Sequence, residues 1–111
     1  GFNVTIAVLD ASGRLRVQLH DDKAGPHTLE NARRKAYTSL TFRQNTADFG
    51  KRFTGDNRPP MLDGITTGAG GVVIKAGEDI VGAVGVSGAP GGEKDQACAE
   101  AGIATIAAGL Q

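Results

Sequence analysis

Gly82, Gly85 and Gly88, spaced three apart in "DIVGAVGVSGAPGGEKDQACAEAGI" (residues 79–103), limit this chain's fold more tightly than any other feature. The stretch reads as a strand, a glycine-rich bend and a helix. A strand residue without a Cβ marks a place where another backbone comes close. A phosphate cradle of the Walker type needs Gly-x-x-x-x-Gly-Lys-Ser/Thr, whereas this helix opens with Glu93 and Asp95. Those carboxylates satisfy the positive end of the helix dipole themselves and repel a phosphate. "GVSGA" approaches the Gly-x-Ser-x-Gly nucleophile elbow, but Ala89 stands where the second glycine belongs. The elbow fold also places its histidine last in chain order, and His20 and His27 both precede Ser87. Close packing of strand against helix, or against a neighbouring subunit, remains as the use of the glycines.

Length and composition narrow the rest. At 111 residues the chain forms one domain, residues 1–111. One Tyr, four Phe and no Trp leave the core to Ala, Val, Ile and Leu, and the 17 glycines show no triplet repeat, which excludes collagen. A net charge of zero removes a global attraction to nucleic acid. The basic residues also lack interleaved aromatics for stacking single strands. Charge is unevenly spread, with ten Lys/Arg against six Asp/Glu in residues 1–58 and two against six in residues 59–111. Such a split suits an anionic ligand, or subunits that meet basic face to acidic face, as well as a merely solvated surface. Cys98, the only cysteine, excludes an internal disulfide and a CxxC metal site. No apolar run reaches the ~18 residues of a membrane span and no signal peptide opens the chain. The expectation is a cytoplasmic protein, with an exported precursor left open.

Strand and helix periods alternate along the chain. "NVTIAVLD" carries Val4, Ile6 and Val8 on one face and Thr5, Ala7 and Leu9 on the other, a mostly buried strand. After a turn at Ala11–Gly13, "RLRVQLH" predicts a half-exposed strand with Leu15, Val17 and Leu19 inward. A helix is predicted over 28–43, capped by Thr28, with Leu29, Ala32, Ala36 and Leu40 on the buried stripe. A second, capped by Asn45 or Thr46, is predicted over 46–53. Strands are predicted over 64–69, 71–76 and 79–87, and a last helix over 93–110, with Ala99, Ile103, Ile106 and Leu110 on one stripe. The order β-β-α-α-β-β-β-α predicts an α+β fold, a five-stranded antiparallel sheet covered by helices.

"VTIAVLDASGRL", "ARRKAYTS" followed by "NTADF", and "GEDIVGAVGVSGAPGGEKDQACAEAGI" together resemble the GlcG/HbpS family, the haem-degrading or haem-binding domain also found at the C-terminus of PduO. The most specific block is V-G-A-V-G-V-S-G, a short loop, then D-x-x-C-A. The resemblance implies a profilin-like fold and assembly into a homo-oligomer, from dimer to octamer. Members usually carry a helix before the first strand, and this sequence lacks it. Some members bind haem and one group degrades it or reports redox stress. Others accompany glycolate or diol metabolism.

Against that background five residues are candidate cofactor contacts. His27, in "AGPHTLE", stands just before a helix N-terminus and can offer a neutral imidazole as axial haem ligand. His20, flanked by Asp21 and Asp22, ranks below it, because an imidazole held in its protonated form has no lone pair to give. Arg34 and Lys35, with Arg33, can pair with haem propionates or a small carboxylate, or equally form a salt bridge within the fold. Lys35 aligns with the lysine of the family's K-A-x-T block. Thr46 aligns with a threonine region that the resemblance associates with haem contact, and as an N-cap it has a structural use too. Cys98 reads as a packing residue, and no His, Cys, Asp or Glu spacing suits zinc. Two functions fit these residues: a module binding haem or another planar anionic tetrapyrrole, and an enzyme or accessory factor for a small carboxylate. In the second, Lys35 or Arg34 clamps the anion and His27 is the general base.

Overall fold

Alternation of Thr5, Ala7 and Leu9 with Ile6 and Val8 makes β1 (Thr5–Asp10) a strand buried on one face and half-covered on the other. Its turn is closed by the Asp10 carboxylate, which accepts the amides of Ser12 (2.9 Å) and Arg14 (3.1 Å), and by Gly13 at φ +85°. β2 (Leu15–His20) returns antiparallel, and the long helix α1 (His27–Phe42) and short helix α2 (Thr46–Gly50) follow. The hairpin β3 (Gly71–Ala76) and β4 (Asp79–Ser87) leads into α3 (Gly92–Ala104) and a last 3-10 turn, Ala107–Leu110. The computed structural model describes residues 1–110, and its strands form one antiparallel sheet in the order β2-β1-β4-β3. The α+β expectation holds.

The glycines explain how the helix meets the sheet. Gly71 and Gly85 are direct partners across β3 and β4. A Cβ on Gly85 would overlap the carbonyl oxygen of Ala32, and one on Gly71 the carbonyl of Lys35. α1 therefore rests with its backbone on a side-chain-free pair, and small buried residues (Ala32, Ala36, Ala83) fill the contact around it. The other face holds the larger apolar cluster of Val72, Ile74, Val84, Val86 and Ala99, under α3.

Several expectations are corrected. The sheet has four strands, not five, because residues 64–69 form a loop. Gly64 and Gly70 bracket that loop at φ +85° and +135°. Thr38 on α1 holds it in place of a ladder, donating to the Gly64 carbonyl and accepting the Thr66 amide, each at 3.0 Å. β2 is exposed along its whole length rather than half-buried, since it is an edge strand and α3 packs over β3 and β4. α2 stops at Gly50, and the last helix breaks at Thr105, whose hydroxyl and amide both turn back to the Gly102 carbonyl. Neither helix has a side-chain cap hydrogen bond, although Asn45 does stand at the N-cap of α2 as expected. Pro26 occupies the N-cap of α1 while Thr28 lies inside the helix, and the Asn45 side chain accepts the Val73 amide (3.2 Å) instead of capping α2.

Candidate functional site

At the C-terminal end of β4 the end of the sheet, the start of α1 and the start of α3 converge, leaving an open cleft of about 550 Å³. α1 supplies one wall because His27, Asn31 and Lys35, four apart, share a helix face. His27 is exposed at the mouth, and its ring lies over Gly25, where a Cβ would stand 2.7 Å from Cε1. Lys23 and Phe2 also border the opening, and the Lys94 ammonium lies 5.2 Å from the Phe2 ring centroid.

The floor is polar and mostly self-satisfied. The Lys35 ammonium donates to the Val86 carbonyl (3.0 Å) and to Asp95 Oδ2 (2.9 Å), and both side chains are nearly buried at 6% and 5% exposure. Asp95 Oδ1 accepts the Ala89 amide at 2.9 Å, so the glycine-rich bend is closed by a carboxylate rather than a bound anion. Asn31 Nδ2 donates to Ser87 Oγ at 2.8 Å. An amide cannot take the serine's proton, which removes the nucleophile reading of Ser87.

The five sequence candidates part company here. Lys35 and His27 line the cleft. Arg34 lies outside it, sharing a shallow groove with His27, Glu30 and Asn31, and pairs with Glu30 at 3.1 Å. Arg33 bonds the same carboxylate, and this bond, ahead of the Arg34 bond, holds the Glu30 carboxyl below its ordinary range. The basic triplet is thus split between cleft floor and helix surface. Thr46 is fully buried, and its hydroxyl accepts the Gly71 amide (2.9 Å), pinning α2 to β3 away from the cleft.

His20 ends β2, outside the cleft, in a chain of three hydrogen bonds. Its Nδ1 lies 2.5 Å from Thr5 Oγ1, Thr5 Oγ1 lies 2.7 Å from Thr28 Oγ1, and Thr28 donates to the Gly25 carbonyl at 2.5 Å. Thr28 has one proton and gives it to Gly25, so Thr5 must donate to Thr28 and accept from His20. The ring therefore carries a proton on Nδ1, and its neutral form is the tautomer with the lone pair on Nε2. Asp21, which the sequence sets beside this ring, instead accepts the Val4 amide at 2.8 Å.

Asn31, Ser87 and Asp95 were not singled out as site residues from sequence. The four-residue spacing of His27, Asn31 and Lys35 was an available signal for the first. Among the described residues no group of three or more His, Cys, Asp or Glu could hold a metal ion, and no helix is long and apolar enough to cross a membrane.

A four-stranded antiparallel sheet with helices on both faces, and a polar cleft headed by a histidine at its end, defines a small α+β domain with a single-sided pocket. The chain belongs to the HbpS-like family, described as haem degrading protein HbpS-like, whose profile matches residues 1–104. A double mutant of Streptomyces reticuli HbpS superposes with a TM-score of 0.89 at 35% identity, covering 96% of this chain and 73% of the other. A structure described as a PduOC–haem complex gives 0.86 at 24% identity, covering 95% and 79%. Klebsiella pneumoniae ORFY, a DUF336 protein, gives 0.89 at 24%, covering 97% and 77%. At that identity the last two speak for the fold. Curated proteins yield no significant match.

Proposed function

We propose that this protein binds haem, or a related planar anionic tetrapyrrole, at the cleft between α1, β4 and α3. The observation that carries the reading is His27, an exposed imidazole at the mouth of a cleft whose wall and floor include Lys23 and Lys35, in a chain of the HbpS-like family. The volume, about 550 Å³, lies within the usual range of ligand pockets, roughly 300–1,000 Å³. His27 would be the residue to hold the iron, Phe2 an aromatic wall, and Lys23 and Lys35 the partners of the carboxylates. Arg34, in the adjoining groove, would meet a carboxylate extending past the mouth. When bound, haem would supply iron-centred ligand and redox chemistry, and the protein's part is to orient it and limit access to it. Haem degradation and redox sensing are the active forms of the same proposal.

Assembly belongs to this reading. Val17 and Leu19 on edge strand β2 are 48% and 61% exposed, an apolar pair on one sheet face that a homo-oligomer would cover.

Titration with hemin followed by absorbance tests the proposal. The expected result is a Soret shift that saturates at a fixed haem-to-subunit ratio and is lost in His27→Ala. No shift removes the haem role, and a shift indifferent to His27→Ala moves the ligand elsewhere, with His20 Nε2 the next to substitute.

The cleft's polar lining also favours a second reading, a small carboxylate held in the same place.

A further inference from the structure

Ser87 enters the sequence as a rejected nucleophile and enters the cleft as a buried hydroxyl with an unspent proton. It is 3% exposed, lines the cleft, and accepts from Asn31 Nδ2 at 2.8 Å. Among the described residues no acceptor takes its hydroxyl hydrogen. Beside it in the lining, Lys35 uses two of its three ammonium hydrogens, on Val86 and Asp95, and leaves the third. A buried donor without an acceptor is costly unless a ligand or water completes it.

We infer that Ser87 and Lys35 form a subsite for one carboxylate group, with Asn31 orienting the serine. The inference deepens the haem reading, since the carboxylate can be a haem propionate, and it names the donors for a free small monocarboxylic acid as well. Two donors at one cleft floor suit the two oxygens of a carboxylate, which accepts and does not donate. Asp95, on the same floor, does not oppose this. Its oxygens are taken by Lys35 and the Ala89 amide, so the buried pair is close to neutral and Lys35 offers the carboxylate a donor hydrogen rather than a net charge. The cations at the opening, Lys23 and Lys94, add attraction.

The test uses the whole chain, with sodium propionate as the small probe and sodium chloride at equal ionic strength as control. Amide NMR spectra should show saturable shifts at Ser87, Gly88 and Asn31 with propionate and none with chloride. Ser87→Ala should weaken that binding roughly tenfold, the size of a hydrogen bond to a charged group. Ser87→Cys, which keeps the shape but donates weakly, should do the same if alanine disturbs Asn31. Hemin and hemin dimethyl ester, which lacks free carboxylates, separate the two sources. A preference for hemin that disappears in Ser87→Ala places a propionate on the subsite. An unchanged preference, with propionate binding still weakened, places a free acid there. Absence of saturable shifts while hemin binds overturns the subsite and leaves the haem reading standing. Saturable shifts in a protein that gives no Soret change do the reverse.

Discussion

The Lys35 ammonium stands 2.9 Å from Asp95 Oδ2 with both side chains almost excluded from water, and this one contact joins α1 to α3 across the end of β4. Removing two charges from water costs several kcal/mol each, and their attraction offsets this only when the remaining polar atoms are also satisfied. Here the Val86 carbonyl and the Ala89 amide satisfy all of them but one ammonium hydrogen. Asp95→Ala leaves a buried ammonium unpaired and should destabilise the domain by about 3–5 kcal/mol in urea denaturation. Lys35→Met combined with Asp95→Leu should recover most of that loss. A double variant no more stable than Asp95→Ala would show that the contact holds the fold by geometry rather than by charge pairing.

The Gly71–Gly85 pair predicts a sharp contrast between glycines. A methyl at Gly85 collides with the backbone oxygen of Ala32, which has no side-chain torsion by which to move away. Gly85→Ala should therefore cost about 3 kcal/mol or more, at the upper end for overpacking. Gly102, near the end of α3, has open space where a Cβ would stand, with no neighbour packed within 4 Å, and no positive φ. Gly102→Ala should raise stability by up to about 1 kcal/mol through helix propensity. Equal effects at the two positions in thermal melts would refute the packing argument.

The same glycines show what the sequence could convey. Of Gly82, Gly85 and Gly88 only Gly85 meets a helix, while Gly82 and Gly88 meet the backbone at Leu9 and Asn3, so the glycines signalled close approach but not its partner. The β1, β3 and β4 periods placed the sheet, because each is a local pattern. Residues 64–69 were legible as apolar and glycine-rich but not as a loop. Their backbone is held by Thr38, 26 and 28 residues away from Gly64 and Thr66, and no local period records that. β2 alternates like a half-buried strand, yet its exposure depends on where α3 lands. In the site, Lys35 could be seen as a cation but not as a buried one, since Asp95 lies 60 residues on. Ser87 was visible only as part of a failed motif.

The hydroxyl chain from His20 to Gly25 predicts a tautomer. Long-range nitrogen–proton NMR at a pH where the ring is neutral should find the His20 proton on Nδ1. Thr28→Val removes the hydroxyl that forces Thr5 to donate, so the ring should then sample both tautomers, at a stability cost of about 1 kcal/mol. A wild-type ring protonated on Nε2 would mean that Thr5 donates to His20 and that the chain runs in the other direction. In that case His20 could not substitute for His27 as a ligand through Nε2.

Edge strand β2 supplies the prediction on assembly. Val17 pairs with Val8 and Leu19 with Ile6 across the β1–β2 ladder, so all four share the sheet face that α3 covers only over β3 and β4. The adjoining groove under α3 is almost wholly apolar, lined by Ile6, Val8, Val84, Ile103 and Ile106 among others. Burying Val17 and Leu19 against a second copy would be worth about 1.5–3 kcal/mol for each side chain fully covered. Leu19→Asp places a charge in that patch and should lower the mass measured by light scattering at micromolar concentration to that of a monomer. Stability should stay within about 0.5 kcal/mol, because Leu19 is 61% exposed within a single chain. A wild-type protein already monomeric at that concentration would end the proposal. An oligomer unaffected by Leu19→Asp would move the interface to another face.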